Sequence, residues 1–149
     1  ICYAKYGKNI FAVLLAGMIG ASACYLAAGL CSKVGVAFAA CILTGLFTSM
    51  LWPGTLIMME ENIPDAGVAA FALMAAGGDL GASIAPQLMG VVIDKVSSTA
   101  IAEKLASAMN VTAEQIGLKA SMLVNSLFPI AGVLLVIFVI FYFKRKSKQ

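Results

Sequence analysis

The chain has 149 residues, 62% of them hydrophobic and 11% charged, with a formal net charge of +3 and a mean hydropathy of +0.99. A soluble domain is about half apolar and about a quarter charged, which excludes a water-soluble globular enzyme and a disordered tail as leading readings. The small positive charge gives no footing for a nucleic-acid partner. The remaining solvent is lipid, and the composition predicts an all-α integral membrane protein.

The sequence opens on Ile1, with Tyr3, Lys5 and Lys8 ahead of the first apolar run. Further runs of spanning length follow, so this opening is not read as a cleaved leader. It is expected to be a piece of a longer polypeptide. Charges punctuate the rest and leave four spans, at about 10–32, 34–59, 66–93 and 120–143. Each exceeds the roughly 20 residues that a helix needs to cross a bilayer. Barrel strands would be shorter and would alternate apolar with polar residues. Here the runs are continuous, and helices satisfy their own backbone polar groups in hydrocarbon.

The first span is nearly free of polar side chains, with Ser22 and Tyr25 the main exceptions. On the second, Cys41, Thr44, Gly45, Thr48 and Trp52 fall at helical spacing on a small and polar face, opposite Ile42, Leu43, Leu46, Phe47 and Met50. A helix beside a water-filled path is expected to have this pattern. Pro53, in Trp52-Pro53-Gly54, removes a backbone bond and predicts a kink. The freed carbonyls could bind a solute or form a gate hinge. Trp52 could stack on a ligand or anchor at the headgroup boundary.

The third span carries Asp79, the one formal charge inside a span, near its middle. A carboxylate there is costly unless paired, hydrated or protonated. It suits a proton carrier or a solute contact; the alternative is a structural carboxyl bonded across helices. No Lys or Arg lies within the spans to pair with it. Gly77, Gly78 and Gly81 surround it, and Gly77 with Gly81 gives the spacing that lets helix backbones approach closely. Pro86 is expected to break this span as Pro53 breaks the second.

The 95–119 segment is the amphipathic one. Ile101, Leu105 and Met109 recur at four-residue spacing, with Glu103 and Lys104 on the other side. It predicts a short interfacial helix stopping at Asn110. Thr112 with Gln115 forms a capping box that starts a helix running into the fourth span. That span, from Leu127 to Phe143, is bulky and apolar apart from Pro129 and is expected to face lipid. Lys144, Arg145, Lys146 and Lys148 follow it, and Lys5 and Lys8 precede the first. Four passes put both clusters on one side, which basic residues mark as cytoplasmic in a cell membrane. The acidic turn Glu60–Asp65 falls on that side; Lys33 and the 95–119 segment fall outside.

Histidine is absent, so Ser-His and Cys-His catalysis and His-bearing metal or haem sites are excluded. Cys2, Cys24, Cys31 and Cys41 have no paired metal-binding spacing and are read as small buried hydrophobes. No metal or cofactor is expected.

The order of these motifs resembles the C-terminal part of a major facilitator superfamily transporter. Tyr3-Ala4-Lys5-Tyr6-Gly7-Lys8-Asn9 is similar to the basic cytoplasmic loop between that family's eighth and ninth helices. Ser49-Met50-Leu51-Trp52-Pro53 resembles the end of the tenth. Gly77-Gly78-Asp79-Leu80-Gly81, through Pro86 and Gly90 to Asp94, is similar to the eleventh helix of sugar-permease-like members, and the basic tail matches the family's C-terminus. The resemblance implies four of twelve helices, with the N-terminal half and two helices elsewhere in the same polypeptide. It also implies that the second span lines the central cavity, that the third flanks it, and that the first and fourth face lipid.

The leading functional expectation is secondary active transport of a small organic solute, such as a sugar or related metabolite. Thr44, Thr48 and Trp52 would line its path and Asp79 would couple a proton or touch the solute. The alternative is a four-helix assembly module without transport, docking through Gly77 and Gly81. An intramembrane enzyme is not expected, because the spans offer one carboxylate and neither histidine nor lysine.

Overall fold

Backbone amides in hydrocarbon have no water to turn to, so a chain this apolar must satisfy them within helices. In the computed structural model every regular element among the described residues, 9–31, 33–63, 65 and 67–146, is helical. The elements are α1 (Ile10–Leu30), α2 (Val34–Thr48), α3 (Leu51–Asn62), α4 (Val68–Ser97), α5 (Ala100–Met109), α6 (Ala113–Asn125) and α7 (Leu127–Lys146). Cys2, the opening motif through Lys8, Ser32, Pro64, Ala66 and Lys148 lie outside the described residues.

Among the described residues four helical stretches are long and apolar enough to cross a membrane: α1, α2 with α3, α4, and α6 with α7. The second reaches Asn62, and the fourth begins at Ala113 rather than 120. The early start follows from the capping box. The Gln115 amide donates to Thr112 Oγ1 at 3.3 Å, and the Thr112 amide donates to Gln115 Oε1 at 3.2 Å. The last part of the expected outer segment, from Ala113, therefore belongs to the fourth span, and its first residues to Ser97 belong to the third. Between them lies α5, which stops where Asn110 turns left-handed at φ 54°. Its apolar row stays exposed, Ile101 at 70%, while small Ala102 and Ala106 form the packed side.

Two spans are jointed, each in the same way. Leu51-Trp52-Pro53 opens α3 after a turn at Ser49 and Met50, and Leu127-Phe128-Pro129 opens α7 after Ser126. Proline lacks the N–H that would reach the carbonyl four residues back, and it is tolerated in a first turn where that donor is not needed. Each break thus lies ahead of its proline, not at it. Pro86 behaves differently: α4 runs unbroken through it, contrary to the expected interruption. A mid-helix proline kinks or breaks a helix according to its surroundings, and here the ladder resumes on both sides.

The first span, expected to face lipid, is the most enclosed of the four, though Ile19, Leu26 and Leu30 stay exposed. α1 is the hub of the described bundle and packs against α2, α3, α6 and α7. Leu14 is 0% exposed and meets Ile10 and Val136 in one apolar cluster; Cys24, Ala28 and Ala40 form another. Small residues make this possible, because helices in lipid associate by close packing and not by escape from water. A Cβ at Gly17 would sit 2.8 Å from the Phe47 carbonyl oxygen. The third span is the opposite case: α4 has no buried residue and packs mainly on α6. α7 presents Leu134, Leu135, Phe138 and Phe141 outward, while Val136 is buried.

The cysteines divide. Cys24 is buried, Cys31 is partly buried and Cys41 is exposed, all three as free thiols. The buried-hydrophobe reading therefore holds for Cys24 and fails for Cys41.

The two ends of the bundle are identified by what gathers there. Asn9, Glu61, Asn62 and Lys144 border one cavity. Cys31, Lys33, Gln115 and Lys119 border another. The start of α1 and the ends of α3 and α7 therefore share one end, as an up-and-down bundle requires.

Candidate functional site

Polar side chains inside an apolar bundle are costly, so each needs a partner or a purpose. Tyr25 on α1, Thr44 on α2 and Asn125 at the end of α6 converge on a cleft of about 220 Å³, with Met89 of α4 on its wall. Tyr25 and Asn125 also border a second cleft, of about 340 Å³, to which Thr48, Leu51, Ala85, Phe128 and Pro129 contribute. The pair thus stands between two adjoining spaces. Both helix joints, through Leu51 and through Phe128 with Pro129, border the larger one.

Asn125 is 9% exposed. Its Nδ2 donates to the Met89 sulfur at 2.9 Å, and a thioether is a weak acceptor. Among the described residues no other group bonds to this amide, and the Tyr25 hydroxyl has no protein hydrogen bond. Both retain donor and acceptor capacity.

The threonines are committed differently. Thr44 Oγ1 donates to the Ala40 carbonyl at 2.8 Å, and Thr48 Oγ1 to the Thr44 carbonyl at 2.9 Å. Their protons are spent on their own helix, a habit of hydroxyls in apolar helices. They can still accept. The two clefts therefore share an amide and a phenol with spare donors, and each adds one threonine hydroxyl as acceptor to a lining that is otherwise mostly apolar and carries no formal charge. Such a lining can hold an uncharged molecule that carries a few polar groups.

The sequence-predicted residues do not all meet there. Thr44 and Thr48 line the clefts; Asp79 borders neither. Asp79 is exposed on α4, with Ser83 and Gln87 following at four-residue steps, also exposed. Ser83 Oγ donates to the Asp79 main-chain carbonyl at 2.9 Å, and no ion pair holds the carboxylate among the described residues. Gly77 and Gly81 have nothing within 4 Å of an added Cβ. Gly78 differs, because the Trp52 ring occupies the space that its Cβ would take. Trp52, 48% exposed, thus packs on the helix that carries Asp79. Pro53 and Pro86 are placed by the fold as described above.

Sequence reasoning noted Tyr25 only as a polar exception on the first span, and missed Asn125 and Met89. Asn125 was detectable as an amide inside the 120–143 apolar run. Met89 carries no such signal. Among the described residues no group of His, Cys, Asp and Glu is arranged to hold a metal ion. Comparison with protein-family models, curated proteins and solved structures finds no match.

Proposed function

We propose that this chain is part of a secondary active transporter that moves a small, uncharged organic solute, such as a sugar or related metabolite, across a cell membrane by alternating access. The observation that carries the reading is the Tyr25–Asn125 pair, standing between two clefts in a spanning bundle with unspent hydrogen-bonding capacity. Thr44 and Thr48 add acceptors to the same path. Asp79 takes the coupling role from a separate face, where a companion bundle of the same polypeptide would cover α4. The motif order that resembles the major facilitator superfamily supports the same reading. The basic residues at both ends favour a cytoplasmic location for both. This reading assigns the chain no catalytic step and no cofactor.

The experiment is uptake of labelled monosaccharides by the complete polypeptide in proteoliposomes under an imposed proton gradient. Accumulation that collapses with the gradient is the expected result. Asn125→Ala is expected to weaken solute binding, and Asp79→Asn to abolish accumulation while leaving solute exchange. Uptake indifferent to the gradient and to both substitutions overturns the reading.

A second reading is favoured by the open space at Gly77 and Gly81. In it the chain is an assembly module that docks another membrane helix there and transports nothing. Bulky substitution at Gly81 would then dissociate a complex with no transport activity to lose.

A further inference from the structure

At the end of the bundle opposite Asn9 and Lys144, a cleft of about 220 Å³ opens between the end of α1, the start of α2 and the length of α6. Ala28, Val34, Ala37, Leu118 and Met122 make its walls, and they are apolar. Lys33, Lys119 and Gln115 also border it. No aspartate or glutamate lines the cleft, and neither lysine has an ion-pair partner among the described residues.

A pair of uncompensated ammonium groups on an apolar slot is a specific combination. A water-soluble anion would use the lysines and leave the slot without purpose. A neutral lipid would use the slot and leave the lysines unpaired. One molecule that satisfies both has a phosphodiester headgroup and an acyl chain. We infer that this cleft binds an anionic glycerophospholipid, with its phosphate held by Lys33 and Lys119 and the upper part of one acyl chain lying along Ala37, Leu118 and Met122. Lysines at a membrane boundary attract anionic headgroups, and stems of this length reach from an apolar wall to the headgroup layer. Gln115 supplies an amide to the same headgroup. The inference stands apart from the transport reading, since it concerns different residues and predicts no solute.

The test uses the purified full chain in a neutral detergent, titrated with phosphatidylglycerol, with phosphatidylcholine and with inorganic phosphate. Bound lipid is counted by native mass spectrometry and thermal stability is followed in parallel. Phosphatidylglycerol is expected to remain bound and to raise Tm, while phosphatidylcholine and inorganic phosphate at millimolar concentration do neither. Lys33→Gln and Lys119→Gln are each expected to weaken phosphatidylglycerol binding about fivefold, with the unliganded Tm unchanged. Ala37→Phe fills the slot and is expected to displace the lipid while both lysines remain. Equal binding of the two lipids overturns the inference, as does an undiminished preference for phosphatidylglycerol in the double lysine variant. An equal Tm rise with inorganic phosphate also overturns it, by reducing the site to a simple anion site.

Discussion

The side-chain amide of Asn125 donates to the thioether of Met89 at 2.9 Å, across the contact between α6 and α4. This is a polar link between two spanning elements, and it is a weak one. Polar contacts between helices in lipid average about 0.6 kcal/mol. Met89→Leu keeps the volume and removes the sulfur, so its cost to stability is expected to stay below about 1.5 kcal/mol. Asn125→Leu is expected to be similarly mild for folding yet to abolish solute uptake. Chemical denaturation followed by the single Trp52, together with a proteoliposome uptake assay, separates the two effects. A variant at Asn125 that transports normally would remove this amide from the path.

Glycines in the bundle separate into close-packed and open ones, and their alanine variants should separate likewise. A Cβ at Gly117 would lie 2.8 Å from the Ile93 carbonyl oxygen and 3.2 Å from its Cα. Main chain cannot swing aside as a side chain can. Gly117→Ala is expected to cost about 1–3 kcal/mol through displacement of α4 from α6. Gly77→Ala meets nothing and replaces a poor helix former with a good one, which predicts a gain of up to about 1 kcal/mol. Unfolding curves of the two variants side by side give the answer.

Restoring the missing helix bonds should stiffen the joints. Pro53→Ala supplies an N–H for the Ser49 carbonyl, and Pro129→Ala does the same for Asn125. Each variant is expected to fold, and each is expected to slow solute exchange without abolishing solute binding. Spin labels placed at Gly35 and Asn62 report the first joint directly, since straightening lengthens the span between them. A distance distribution identical to the parent's would show that the turn at Ser49 and Met50 is held by its neighbours, not by the proline.

The gathering of residues at the two ends makes a topological prediction. Cysteines introduced at Glu61 and Lys144, in a background lacking the native thiols, should react with an impermeant maleimide from the same face of the membrane. Cysteines at Lys33 and Gln115 should react from the opposite face. Under the proposed orientation the first pair faces the cytoplasm. Labelling of Glu61 and Lys144 from opposite sides would contradict the four-pass arrangement itself.

Much of this architecture is legible in the residues. The span count follows from charge spacing, the start of α6 from Thr112 and Gln115, and the end of α5 from Asn110. The central place of α1 is not, because its near lack of polar side chains gives polarity nothing to mark as buried. In lipid that guide fails: an apolar side chain is equally at ease against acyl tails or against another helix. Size is the better indicator, and Gly17, Gly20, Ala21, Ala28 and Gly29 already carried it. The candidate site was half legible. Thr44 and Thr48 stand out by helical spacing on one span, whereas the convergence of Tyr25 and Asn125 on the same clefts depends on how α1 crosses α6, which no local pattern encodes. Asp79 stood out by charge alone, and charge does not say which neighbour a helix face will find.

The two prolines that open α3 and α7 have a mechanical consequence. Their joints flank a shared space, so flexing at either one changes its aperture, and flexing at both can change it from two sides. Bending a continuous helix means stretching rungs of its ladder. Here proline has removed a rung at each joint, so the helices that edge this space bend there at lower cost than an unbroken helix would.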